Sequence, residues 1–146
     1  MFCISLLCFR MKGCYLLVIQ LRKDTFIEVG KLGKTFFKKG FYVYVGSAMN
    51  GLEQRIRRHL RNSKKTYWHI DYLLEYGEIK HVFYKESNKR EECDIANKLM
   101  RKLSVVAGFG CSDCKCRSHL FYGNKETIFS NIRELDMKTY VFNATL

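Results

Sequence analysis

Three stretches of the chain are rich in apolar, aromatic or β-branched residues, a pattern that is typical of strands. They are residues 13–21 (GCYLLVIQL), 41–47 (FYVYVGS) and 79–85 (IKHVFYK). Side chains alternate between the two faces of a strand, so Tyr42 and Tyr44 are expected to share one face of the second strand. The apolar residues around them are expected to lie on the other face.

The other elements follow from turn signals and from apolar positions spaced at three and four residues. Strands that first pair as a hairpin and are then separated by helices indicate an α+β domain with a small sheet. The additional elements that we predict are a hairpin over 26–40, helices over 51–61, 67–76 and 89–103, a strand over 119–122, a helix over 125–135 and a strand over 138–143.

The length of 146 residues fits one domain, and the absence of proline and the ten glycines argue against a flexible linker. Met11 stands immediately before the first predicted strand, so residues 1–10 are interpreted as a disordered or upstream-start extension. We predict a single domain over 11–146, with a core over 11–103 and a Cys/His-containing extension over 104–146.

Positive charge is the first indication of function. The sequence contains 26 Lys and Arg residues but only 14 acidic residues, and its net charge is +12. Such an excess suits a polyanionic partner. A membrane surface is the competing partner, but the sequence contains no amphipathic anchor or lipidation signal, and the apolar opening segment is too short to span a bilayer. The odd count of seven cysteines and the lack of a secretory signal predict a cytoplasmic protein with reduced thiols. Nucleic acid is therefore the favoured partner, and six basic residues fall within eleven positions: Arg55, Arg57, Arg58, Arg61, Lys64 and Lys65.

Two strand motifs and one helix motif occur in a fixed order. Gly13-Cys14-Tyr15 lies on the first strand and Tyr44-Val45-Gly46 on the second, and the next helix carries Leu52, Arg55 and His59. This series resembles the GIY-YIG nuclease superfamily, in particular an uncharacterised, largely archaeal branch with YVYVGSA, WHIDYLL and SDCxCxSHLF strings. The resemblance implies a three-stranded antiparallel GIY-YIG-like sheet flanked by helices.

The resemblance also implies a metal-dependent endonuclease that hydrolyses phosphodiester bonds in DNA, with DNA repair or processing as its setting. In this interpretation Tyr15 and Tyr44 activate water, Arg55 stabilises charge on the phosphate, and His59 assists proton transfer. Glu92, at the edge of the buried stripe of the third predicted helix, would hold Mg²⁺ or Mn²⁺. An ordinary surface glutamate is the competing interpretation of Glu92.

A non-catalytic DNA- or RNA-binding module with the same basic groove is the alternative function. Tyrosines on strands usually pack rather than react, and an isolated arginine or histidine usually lies on a solvated helix face. Tyr44 follows Tyr15 by 29 positions, a wider spacing than in compact members of the superfamily, so the substrates of those members are not assigned to this chain. The predicted nucleic-acid-binding residues are Arg57, Arg58, Arg61, Lys64, Lys65 and His69. His69 and Asp71 either line the groove or support the helix beside Trp68.

The segment CSDCKCRSH carries a possible metal site, because a C-x-x-C pair with a nearby histidine is a metal-ligand pattern. We predict one structural zinc ion on Cys114, Cys116 and His119, with Cys93 as the fourth ligand and Cys111 as its alternative. Reduced thiols that only pack remain an equal alternative.

Overall fold

A computed structural model describes residues 11–62, 64–111 and 115–142. The predicted extension over 1–10 and the predicted ligand Cys114 lie outside the described residues. Within them the chain forms eight strands and four α-helices. The strands are β1 (Gly13–Leu21), β2 (Thr25–Val29), β3 (Gly33–Phe37), β4 (Gly40–Ala48), β5 (Glu78–Glu86), β6 (Ser104–Val105), β7 (Leu120–Gly123) and β8 (Lys138–Tyr140). The helices are α1 (Leu52–Leu60), α2 (His69–Leu74), α3 (Glu92–Met100) and α4 (Lys125–Glu134).

Six strands form one sheet in the order β6-β7-β4-β1-β5-β8, and every neighbouring pair is antiparallel. Strands β2 and β3 form a separate hairpin joined by a 3-10 turn at Gly30–Leu32. The prediction of an α+β fold with an antiparallel sheet is confirmed, but the predicted three strands are too few. The strands that follow residue 103 extend the sheet at both edges, and the two-residue β6 is too short to carry a periodic signal.

The central strand β1 is buried on both faces, which explains its continuous apolar sequence. Tyr15 and Leu17 face a core closed by α1, α2 and the β2–β3 hairpin. Cys14 and Leu16 face a second core closed by α3 and α4. Tyr42 and Tyr44 share the first face, as predicted from their spacing. The position of a residue along β1 or β4 therefore decides which core its side chain enters.

Helix α2 is shorter than the predicted 67–76 because its first turn is fixed by a side chain. Asp71 Oδ2 accepts hydrogen bonds from the backbone N–H groups of Tyr67 and Trp68, both at 2.9 Å. A side chain that accepts from preceding amides favours a helix start at His69. Among the described helices none is long and apolar enough to cross a bilayer.

Candidate functional site

A buried tyrosine and a buried histidine form the centre of the site. The Tyr15 hydroxyl lies 2.7 Å from His59 Nε2, and the two side chains are 1% and 2% exposed. Tyr15 reaches this position from β1. His59 reaches it from α1, where it continues the buried stripe of Leu52 and Ile56 at helical spacing. His59 Nδ1 has no hydrogen-bond partner among the described residues, so the Tyr15 contact is the polar anchor of this ring.

Strand register explains how the second tyrosine joins the pair. Gly46 lies directly across from Tyr15, and Tyr44 lies across from Leu17, so Tyr44 is a diagonal neighbour of Tyr15. The ring centroids of the two tyrosines are 6.4 Å apart, and that of Tyr44 is 6.3 Å from His59. A Cβ at Gly46 would stand 2.3 Å from Cζ of Tyr15. The glycine of the Tyr-Val-Gly motif therefore makes room for the ring of the first tyrosine.

Burial sets the protonation of this cluster. It raises the pKa of the Tyr15 hydroxyl, and the nearby charge of Arg55 opposes this rise. It also raises the pKa of Tyr44 well above its usual value. The pKa of His59 falls to about 3, mainly because burial disfavours the imidazolium and despite the opposing charge of Asp71. At neutral pH both tyrosines are protonated and His59 is a neutral acceptor.

Two arginines of α1 share one aromatic platform. The guanidinium carbons of Arg55 and Arg58 each lie 4.4 Å from the centroid of the Trp68 ring. Residues three apart lie on the same side of a helix, so one ring can contact both. Arg55 also donates to the carbonyl oxygen of Ser47 at 3.0 Å. Arg55 is thus held beside Tyr15 by contacts with two other elements.

The second arginine of this pair is held by a buried carboxylate. Arg58 donates to Oδ1 and Oδ2 of Asp71 at 2.9 and 3.0 Å, which is a bidentate salt bridge. Burial alone would raise the pKa of Asp71, but the hydrogen bonds from Arg58 and from two backbone amides lower it below its usual value. Arg58 was predicted to contact nucleic acid, and it is the member of the basic set that is engaged with the interior. Of the two interpretations of Asp71, its contacts favour support of the helix.

The other predicted basic residues lie towards the end of α1. Arg57, Arg61 and Lys64 line a cleft of about 550 Å³ that His59 also borders. Lys64 donates to the carbonyl oxygen of His59, near the end of α1, at 3.2 Å. It also donates to the carbonyl oxygen of Arg61, the C-cap residue of α1, at 2.6 Å. Lys65 is exposed in the following loop. The cleft therefore presents positive charge next to the tyrosine–histidine pair.

His69 serves a neighbouring loop. Its Nδ1 accepts a hydrogen bond from the N–H of Gly110 at 2.8 Å, and its ring packs on Phe109 at 5.5 Å. Phe109 in turn packs on Tyr44, with ring centroids 6.2 Å apart. His69 was predicted to bind nucleic acid, and in the structure it ties the loop at Phe109 and Gly110 to the wall beside Tyr44.

Glu92 is not brought to the tyrosines. Its helix α3 packs on the opposite face of the sheet, where Ile95 and Leu99 join the core around Cys14. Glu92 Oε2 lies 3.6 Å from Arg90, and Oε1 is buried without a hydrogen-bond partner among the described residues. The predicted metal carboxylate and the predicted catalytic tyrosines thus lie on different faces.

A cluster of potential metal ligands lies on the same face as Glu92. The ligand atoms of Cys93, Cys116 and His119 all fall within 4.8 Å of one another, with Cys93 Sγ 3.9 Å from His119 Nε2. Burial lowers the pKa of His119, and the charge of Glu92 opposes this shift. A neutral imidazole and two thiols suit a metal ion, because both ligate in their deprotonated forms. Three of the predicted ligands are thus brought together in a group that could hold a metal ion.

A family model described as domain of unknown function DUF123 matches residues 14–140. The chain belongs to this family. The DUF123 match runs from β1 into β8, so the tyrosine–histidine cluster, the basic cleft and the Cys/His cluster all lie within it. No curated protein and no solved structure matches this DUF123 chain.

Two contributors to the site in this DUF123 chain could not be selected from the sequence alone. Trp68 is the only tryptophan, and its contact with both Arg55 and Arg58 depends on how α2 packs against α1. The i, i+3 spacing of the two arginines is the one signal that could have indicated a shared partner. Asp71 became identifiable as the anchor of Arg58 only through the contact between two helices.

Proposed function

We propose that this chain is an endonuclease of the GIY-YIG type that hydrolyses phosphodiester bonds in DNA. The observation that carries the proposal is the 2.7 Å contact between the Tyr15 hydroxyl and His59 Nε2, with Tyr44 and Arg55 beside it. The motif resemblance predicts that these same four residues act together. The net charge of +12 and the basic cleft at the end of α1 supply an attractive surface for the DNA backbone.

In the proposed reaction Arg55 receives the scissile phosphate, because it is the partly exposed member of the cluster and its guanidinium matches two phosphate oxygens. A water molecule attacks phosphorus and gives a proton to the Tyr15 oxygen while Tyr15 passes its own proton to His59 Nε2. The bond from phosphorus to the leaving oxygen breaks, and that oxygen takes up a proton from solvent. The negative phosphate raises the pKa of His59, since a nearby anion favours the imidazolium.

A Mg²⁺ or Mn²⁺ site at this cluster does not fit the residues present. The carboxylate whose charge reaches Tyr15, Tyr44 and His59 is Asp71, and both of its oxygens are engaged with Arg58 and backbone amides. Glu92 faces the other core. The proposed reaction therefore uses only side chains of the cluster.

We propose zinc for the Cys/His cluster, with Cys93, Cys116 and His119 as ligands. The further ligand predicted from the sequence, Cys114, lies outside the described residues. Zinc prefers four thiolate and imidazole ligands in closed structural sites. Cys93 is on α3, and the other two described ligands precede β7. A zinc ion here would therefore join the helix to the edge of the sheet, a structural role on the face away from Tyr15.

A non-catalytic DNA- or RNA-binding module is the second candidate, and two observations favour it. Tyr15 and Tyr44 are only 1% and 9% exposed, so a phosphate reaches their hydroxyls only after the covering side chains move. The predicted metal carboxylate, Glu92, also lies on the other face of the sheet. Such a module would retain the basic cleft without cleaving DNA.

Nicking of supercoiled plasmid tests the proposal. Purified protein is assayed with Mg²⁺, Mn²⁺ or chelator, and Tyr15→Phe and Arg55→Ala are compared with wild type. We expect both variants to nick at least about a hundredfold more slowly, because each loses a group that acts in the transition state.

Two matched variants control for loss of a hydroxyl and loss of a guanidinium. Tyr42→Phe removes a hydroxyl that lies on the same face of β4 as Tyr44 and donates to the Lys38 carbonyl oxygen at 2.7 Å, and Arg133→Ala removes an exposed arginine of α4, a helix that closes the other core. Both should nick like wild type. Nicking by Tyr15→Phe at the wild-type rate would exclude the Tyr15–His59 pair as the site. Binding of DNA without nicking under any of these conditions would favour the second candidate.

A further inference from the structure

The β2–β3 hairpin exposes a pair of aromatic rings. Phe26 and Phe36 are directly opposite each other on the two strands and are 62% and 47% exposed. Their ring centroids are 5.0 Å apart at an interplanar angle of 52°. Large aromatic side chains rarely remain this exposed in pairs unless they contact a partner.

The opposite side of the same hairpin anchors it to the domain. Ile27, Val29 and Phe37 are buried in the core that also contains Tyr15 and Tyr44. The alternation of a strand then forces Phe26 and Phe36 outwards. The two exposed rings thus stand on a rigid support rather than on a loose loop.

The segment that carries the two rings has an excess of basic residues. Residues 22–39 contain six basic residues and two acidic ones. Lys34 Nζ lies 5.1 Å from the centroid of the Phe26 ring, and Lys31, Lys38 and Lys39 are on the same hairpin and its ends. Aromatic rings next to lysines match a strand that carries both flat bases and phosphates.

We propose that the outer face of the hairpin binds single-stranded nucleic acid, with unpaired bases stacked on Phe26 and Phe36 and phosphates beside the lysines. Bases inside a duplex are stacked on each other and do not offer their faces to such rings. The inference rests on the nucleic-acid partner of the proposed function but not on cleavage. It assigns the substrate as DNA with an unpaired segment.

Ring contacts connect this surface to the tyrosine–histidine cluster. Phe37, on the inner side of β3, packs on Phe109 at 6.2 Å, and Phe109 packs on Tyr44 at 6.2 Å. The hairpin and the cluster therefore belong to the same side of the sheet. A strand that stacks on the hairpin would approach the cluster from that side.

The test compares binding of a labelled oligothymidylate with binding of an abasic strand of the same length, by fluorescence anisotropy without added divalent ions. The abasic strand keeps the phosphates and lacks the bases. Wild type should bind the oligothymidylate at least about tenfold more tightly than the abasic strand, because stacking of one base on an aromatic ring raises the affinity by about that factor. The double variant F26L/F36L should lose this preference, and F26Y/F36Y should keep it because tyrosine retains the ring.

Leucine keeps an apolar surface, so the two double variants separate base stacking from docking of an apolar protein segment. Both substitutions are on exposed positions, and unchanged melting temperatures check that the fold is kept. Equal binding of the two strands by wild type, or an undiminished preference in F26L/F36L, would overturn the inference. This test measures binding and not cleavage. A protein that prefers the oligothymidylate to the abasic strand but does not nick DNA would contradict the proposed reaction and still support the binding surface on the hairpin.

Discussion

Substitution of Gly46 by alanine should disrupt the cluster from the strand opposite Tyr15. The added Cβ would stand 2.3 Å from both Cζ and the hydroxyl oxygen of Tyr15, whereas ordinary contacts begin near 3.4 Å. Gly46 is not among the described residues with positive φ, so the alanine backbone itself is not strained. The ring of Tyr15 must move by about 1 Å, and it is 1% exposed and packed in the core.

The expected loss of stability has two parts. Overpacking of a tight core costs about 1–3 kcal/mol. Displacement of the Tyr15 hydroxyl also breaks its 2.7 Å contact and leaves both nitrogens of His59 buried without partners, which costs about 1–3 kcal/mol more. We therefore expect Gly46→Ala to lower the free energy of unfolding by roughly 2–6 kcal/mol, a large share of the stability of a small domain.

A double-mutant cycle tests this explanation. Urea unfolding, followed by circular dichroism and by the emission of Trp68, gives the effect of Gly46→Ala in the wild type and in a Tyr15→Leu background. Without the ring the added methyl group has space. The substitution should then be neutral or should stabilise the strand by up to about 1 kcal/mol, because alanine loses less backbone entropy than glycine.

The same loss in both backgrounds would show that a clash with the ring of Tyr15 is not the cause. Gly13→Ala is the matched control. A Cβ at Gly13 would meet the backbone carbonyl oxygen of Lys85, so removal of a side chain cannot relieve it. Tyr15→Leu should therefore rescue Gly46→Ala and leave the defect of Gly13→Ala unchanged.

Three further predictions concern pH, metal and salt. The pKa of His59 is about 3 in the folded chain and 6.5 in the unfolded chain, so the unfolded state takes up protons first as the pH falls. Between pH 7 and pH 5 the wild type should lose about 2 kcal/mol of stability that a His59→Gln variant retains, and equal slopes in urea titrations would contradict this. Protein purified without chelators should contain about one zinc ion per chain by elemental analysis, and Cys116→Ser should abolish this binding. Near-zero metal in the wild type would leave the cysteines as packing residues. The double variant R57Q/R61Q should flatten the slope of log affinity against log salt on duplex DNA by about 0.9 for each phosphate that the protein no longer neutralises, and an unchanged slope would locate the DNA surface elsewhere.

The residues whose proximity could be predicted from the sequence are those that short-range geometry brings together. Tyr15 and Tyr44 lie on strands that pair directly, and the register that sets Gly46 across from Tyr15 puts both tyrosines on one face. Arg55 and His59 are one helical turn apart on the helix that immediately follows β4. Their meeting needs only a hairpin and a helix that packs back on it.

The residues that the sequence could not locate depend on contacts between distant elements. Glu92 lies at the edge of an apolar stripe, and a stripe shows that a helix packs on a sheet without showing on which face. In the sequence Arg58 looks like the exposed arginines beside it, but α2 packs against α1 and gives Arg58 an ion pair with Asp71. Its replacement would leave a buried carboxylate unpaired, which is why Arg58 is excluded from the salt experiment.

The order of strands in the sheet has a consequence for the chain beyond residue 103. Strands β7 and β8 pair with β4 and β5, and the two outermost strands, β6 and β8, contain only two and three residues. A long unpaired strand edge is a template for addition of another chain, and short edge strands limit this hazard. A fragment ending at residue 103 would expose the nine-residue strands β4 and β5 at its two edges. The segment after residue 103 therefore protects the sheet against self-association as well as completing its core.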